Sequence, residues 1–116
     1  MERYSRYNSV TAVGIYCLIQ AHKAPLTLGV ANPVPKIFAS ARLYCAATGA
    51  PTAGSVQPVR LAADGNYYPL AAASSVTAAG LVFDLETCAP INAVAIQVLQ
   101  AVVGGTLYLQ SDGIEV

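Results

Sequence analysis

The stretch INAVAIQVLQAVVGGTLYLQSDG, Ile91 to Gly113, alternates like an amphipathic strand, meets a Gly-Gly pair, and alternates again. Successive side chains of a strand point to opposite faces, so Val94, Ile96 and Val98 share one side while Ala95, Gln97 and Leu99 share the other. Past Gly104 and Gly105, Leu107 and Leu109 oppose Thr106, Tyr108 and Gln110. Two alternating runs around paired glycines read as a hairpin with the branched aliphatic residues on its core side. The other side lacks charge. It offers glutamine, alanine and tyrosine where a solvated strand normally carries Lys or Glu.

Outward from this segment the chain is a series of strands with turn punctuation and no helical period. SVTAVGIYCLIQ (9–20) is apolar on both faces, the pattern of a central strand. HKAPLTLGVANPVPK (22–36) carries three prolines and reads as a long connection or irregular edge. In KIFASARLYCAA, Ile37, Ala39, Ala41, Leu43 and Cys45 form an apolar face against Phe38, Ser40, Arg42 and Tyr44. A turn, TGAPTAGS, follows. VQPVRLAADGNYYPLAA then reads as two short strands around Asp64-Gly65, and AAASSVTAAG as a loop. LVFDLE sets Leu81, Phe83 and Leu85 against Val82, Asp84 and Glu86. The count of seven or eight strands without helical crossovers predicts an all-β chain, an antiparallel β-sandwich of jelly-roll or Greek-key type. A small barrel closes the same pattern, and the sequence leaves both open. The expected organisation is an N-terminal arm, residues 1–8, and a single sandwich domain, residues 9–116.

Composition bounds the function. A chain of 116 residues is one domain. Hydrophobic residues make up 55% and charged residues only 10%, against roughly 25% in an average soluble domain. So little charge protects a free surface poorly against association, which points to faces covered by partners. The longest apolar run is closed by Gln20, His22 and Lys23, too short to span a membrane. MERYSRYN is polar and has no apolar core of a secretory signal, so synthesis in the cytoplasm is expected. Up to residue 60 six basic residues stand against Glu2, a formal +5, and five acidic residues after it give −5. Either the halves interleave and neutralise locally, or the subunit has complementary poles that meet neighbouring copies. No basic cluster is dense enough for nucleic acid.

Catalytic and metal chemistry have little to stand on. Cys17, Cys45 and Cys88 are odd in number and lack a C-x-x-C spacing, so neither a disulfide framework nor a zinc site is expected. Cys17 and Cys45 sit within apolar strands and read as buried free thiols. His22 is the single histidine, and Asp84 with Glu86 is the closest same-face carboxylate pair, better read as a solvated strand face. No enzymatic activity and no cofactor are expected.

DGNYYPLAAA followed by GLVFDLETCAPINAVAIQVLQAVVGGTLYLQSDG resembles the C-terminal half of small β-sandwich virion proteins of tailed bacteriophages. In that pattern an aromatic-Pro-Leu strand precedes a glycine-led strand, an I-x-A-V-x-I strand and a final G-T-L-x-L strand. The resemblance covers roughly residues 64–113. It implies a virion structural role, such as capsid decoration (cement) or a head-to-tail or tail component, and transfers no active site. It further implies a homo-oligomer, a trimer by preference, seated on a major capsid protein or another virion protein.

Uncharged faces rich in Ala, Thr, Gln and Tyr suit such a role, because they can be buried without stranding charge. Two sets of residues are candidates for contact. Tyr4 and Tyr7, with Arg3 and Arg6, are expected to anchor the arm on a neighbouring subunit. Gln97, Gln100, Tyr108 and Gln110 are expected to face another copy or the shell beneath it. The alternative is a tail-associated or carbohydrate-binding sandwich that stacks sugars on Tyr67, Tyr68 and Tyr108. Tyr67 and Tyr68 are adjacent, so a strand would turn them to opposite faces.

Overall fold

The computed structural model describes residues 2–20, 38–62, 66–87 and 93–115. These form seven antiparallel strands: β1 (Glu2–Val10), β2 (Gly14–Gln20), β3 (Phe38–Leu61), β4 (Tyr67–Pro69), β5 (Ser74–Ser75), β6 (Gly80–Thr87) and β7 (Ala93–Glu115). The sandwich expectation holds, and the hairpin expected at Gly104-Gly105 does not. Residues 93–115 are one long strand that bends at the glycine pair and continues in the same sense. β3 does the same around Gly49–Ala53, where its register against β7 slips. Both alternation patterns are present in β7, with Val94, Ile96, Val98, Leu107 and Leu109 buried, but a bend and a reversal leave the same trace in a sequence.

Because β3 and β7 both bend, one sheet folds over on itself into two layers. In the front layer the order is β1, the second half of β7, the first half of β3, then β6. The back layer runs β2, the first half of β7, the second half of β3, then β4 and β5. Between the layers lies one apolar core, with Val94, Ile96 and Val98 from the back and Leu43, Cys45, Leu107 and Leu109 from the front. Each of these side chains is at most 1% exposed. At roughly 1.5–3 kcal/mol per buried Val, Leu or Ile, this double row is the main favourable term holding the layers together.

Glycine at the bend is a steric necessity. Gly104 has φ +84°, a backbone region that L side chains rarely adopt. A Cβ there would stand 2.5 Å from the carbonyl oxygen of Ala50, and one on Gly105 would fall on the carbonyl oxygen of Thr48. The two central strands therefore fold together along one line. Val102 completes the crease by donating its backbone N–H to Thr11 between β1 and β2.

Three further expectations need correction. SVTAVGIYCLIQ is not one central strand. Residues 11–13 interrupt it, and among the described residues β2 pairs with β7 alone, at the edge of the back layer. Its double apolar face reflects a bulge between Tyr16 and Ile19, where Cys17 takes φ +52° and turns into the core. The expected arm, residues 1–8, forms most of β1 over residues 2–8 and pairs there with β7 of its own chain, from Glu2↔Ile114 to Tyr7↔Leu109, instead of extending as a free arm to a neighbouring subunit. In β6 a second irregularity between Cys45 and Ala46 of its partner shifts the alternation. Leu81 is consequently 63% exposed, while Val82 and Phe83 both pack against the core. Asp64-Gly65 lies outside the described residues, but its flanks pair as expected, with Val59↔Pro69 and Leu61↔Tyr67.

Candidate functional site

The outer face of the front layer is where the candidate residues converge. Cross-strand register sets them in level rows. One row runs Tyr4, Asp112, Arg42, Glu86, and the next runs Arg6, Gln110, Tyr44, Asp84. Tyr108 lies two residues from Gln110 along β7, on the same face.

These side chains are tied into one surface. Tyr108 donates its hydroxyl to Oε1 of Gln110 at 2.7 Å, and Nε2 of Gln110 donates to Oδ2 of Asp112 at 3.1 Å. The glutamine at this position is thus the middle of a hydrogen-bonded ladder along β7. From β1, Tyr4 and Arg6 both come within electrostatic reach of Tyr108, which is the leading cause that raises the Arg6 guanidinium above its usual pKa. The Tyr4 phenol is also raised, first by loss of solvent and then by Tyr108. Arg6 stands 5.4 Å over the ring of Tyr4, and Tyr44 meets Tyr108 edge-on at 6.1 Å.

Toward the other edge, Arg42 binds Asp84 through two parallel hydrogen bonds, 2.8 and 2.6 Å. This bidentate pair holds the Asp84 carboxyl below its ordinary value and the Arg42 guanidinium above its own. Both partners are substantially solvated, so the pair shapes the face more than it stabilises the fold.

The eight candidate residues divide among three places. Tyr4, Arg6, Tyr108 and Gln110 come together on the front face, and Arg3 is in β1 opposite Gly113. Tyr7 closes the side of the sandwich, its ring 5.5 Å from Tyr16 of the back layer in an edge-to-face contact. Gln97 lies on the back layer in a row with Ile15 and Gln57, and Gln100 is opposite Ser55. Nor do the three aromatics considered for sugar stacking share a groove, since Tyr67 and Tyr68 are on β4 of the back layer and Tyr108 is on the front.

Arg42, Tyr44, Asp84 and Asp112 also belong to this face. The alternation of KIFASARLYCAA sets Arg42 and Tyr44 opposite its apolar residues, and Asp84 is expected on a solvated strand face. Which strand lies beside which was not legible from either segment. Among the described residues no cluster of His, Cys, Asp and Glu could hold a metal ion, and no helix is long and apolar enough to cross a membrane. Cys17 and Cys45 are free and buried, and burial pushes both thiols up to about 12. Cys88 lies outside the described residues.

Comparison with known proteins shows the fold. No protein-family model and no curated protein matches the chain. Among solved structures it is similar to the crystal structure of SPBc2 prophage-derived protein YomS. The TM-score is 0.54 at 10% identity, over 97% of this chain and 94% of that one. Nearly the whole folded sheet is therefore shared with a prophage-derived protein, at an identity that carries architecture and nothing about the site.

Proposed function

We propose that the chain is a non-enzymatic structural protein of a bacteriophage virion, a capsid decoration (cement) protein that self-associates and stabilises the phage head. It would be made in the host cytoplasm and reside in the particle, with copies of itself and a major capsid or other virion protein as partners. A trimer is the preferred count, on family resemblance.

The observation that carries this reading is the front face. Four candidate residues from two strands form one connected polar-aromatic surface, with Gln110 and Tyr108 satisfying each other instead of reaching for solvent. Such a face can be covered by a protein surface with little loss, because Tyr108, Gln110 and Asp112 already hydrogen-bond one another, Arg42 already pairs with Asp84, and the Tyr rings are pre-positioned. The whole-length fold likeness to a prophage-derived protein is in keeping with a phage origin.

The test is to purify particles of the phage that encodes the chain, separate heads from tails, and assay each fraction for it by mass spectrometry. The proposal expects the chain in the head fraction at a fixed ratio to the shell protein. Its absence from particles, together with saturable binding to a glycan panel, would replace this reading by the carbohydrate-binding one.

A further inference from the structure

We propose that copies of this chain join edge to edge, with β1 of one copy laid antiparallel against β6 of the next, so that the front layer continues across the subunit boundary. This rests on the self-association in the proposed function and names the surface that performs it.

Among the described residues, β1 and β6 are the two outer strands of the front layer. β1 has β7 as its ladder partner and β6 has β3, and no described strand pairs with the far side of either. An unpaired edge presents a row of free N–H and C=O groups and is a ready template for another strand. The regular parts of the two edges match in length and height. Glu2–Tyr7 runs in unbroken register on β7, and Phe83–Thr87 does so on β3. Through the rows they are level: Tyr4 with Glu86, Arg6 with Asp84, Tyr7 with Phe83.

Strand direction also fits. The front layer alternates from β1 to β7 to β3 to β6, each antiparallel to the last. With four strands the two edges run in opposite directions, so a neighbour in the same orientation continues the alternation without a parallel pair.

Charge selects this pairing over the symmetric ones. β1 carries Arg3 and Arg6 against Glu2, whereas β6 carries Asp84 and Glu86 and no basic residue. Arg6 and Glu86 are both exposed. Joining β6 to β6 would set carboxylates against carboxylates, since β6 has no basic residue, and joining β1 to β1 would bring two strands of net positive charge together. Joining β1 to β6 sets Arg6 beside Asp84 or diagonal to Glu86, within the 4.5 to 8 Å range over which cross-strand neighbours interact. Such a contact is head-to-tail and ends either in a closed ring or in an open filament.

The experiment measures self-association of the full chain by sedimentation, with circular dichroism confirming that each variant is folded. Arg6→Glu should weaken association about tenfold or more, because it faces Asp84 with a carboxylate, and Glu86→Lys should weaken it less, because it sets a cation diagonal to Arg6. The double variant restores opposite charges on the diagonal while position 6 still faces Asp84, so it should recover part of the association lost in Arg6→Glu. If the parent associates and both single variants associate equally well, or if the double variant is weaker than Arg6→Glu alone, edge pairing is overturned while the virion role stands. If the parent is monomeric yet present in purified heads, edge pairing is likewise overturned and the virion role survives. A parent that is both monomeric and absent from particles overturns the two together.

Discussion

Ser111 on β7 donates its buried hydroxyl to the backbone carbonyl of Cys17 on β2, joining the front layer to the back through the middle of the core. The contact is needed because the bulge at Cys17 takes a carbonyl out of the ladder, and an unpaired buried carbonyl costs the full desolvation of that group. Ser111→Ala should therefore lower unfolding stability by about 1–3 kcal/mol, measured by urea denaturation. A loss under about 0.5 kcal/mol would mean that the Cys17 carbonyl finds another donor.

The thiols set an alkaline limit. Burial raises Cys17 and Cys45 from 9.0 to about 12 in the folded chain, so the folded state holds their protons more tightly than the unfolded one. Their contribution is complete below pH 9.0 and is lost progressively as pH rises toward about 12. Stability should fall across that window, and a Cys17→Ala, Cys45→Ala chain should show a shallower fall. At neutral pH both thiols should resist a thiol reagent until the protein unfolds.

Gly104→Ala tests the crease. It forces an L residue into φ +84° and sets a methyl group 2.5 Å from the Ala50 oxygen. A loss of about 1–3 kcal/mol is expected from the backbone term alone, with the clash added to it. An unchanged denaturation midpoint would show that β3 and β7 do not bend together as described.

Tyr108→Glu and Gln97→Glu separate the two outer faces. Tyr108 sits in the front-face ladder and Gln97 on the back layer, so the first should impair binding to heads and the second should leave it close to the parent. An unpaired carboxylate buried at a contact costs several kcal/mol or takes up a proton. Equal loss in both variants would move the binding surface away from the front face.

Much of the fold was legible because alternation is a local signal. Val94, Ile96, Val98, Leu107 and Leu109 were assigned to the core by period alone, and all five are buried. The hairpin at Asp64-Gly65 was signalled by its turn residues, and its flanking strands pair accordingly. The bends at Gly104 and around Gly49–Ala53 look like reversals in the sequence because glycine permits both, and the choice between them depends on contacts with a partner strand distant in the chain, as in Gly49↔Gly105. The same non-local dependence hid the front face. Arg42 meets Asp84 only because β3 lies between β7 and β6, and no residue near either position records that order. Leu81 does not share the side of Phe83, because a bulge shifts the period by one without any mark in the sequence.

Whether this chain works as an assembled subunit is read from the native mass of the purified chain across a range of concentrations. One discrete oligomer is expected, a trimer by preference, that persists on dilution and dissociates when Arg6 is replaced by Glu. A strict monomer at every concentration, with the same mass for the parent and the Arg6→Glu chain, would contradict it.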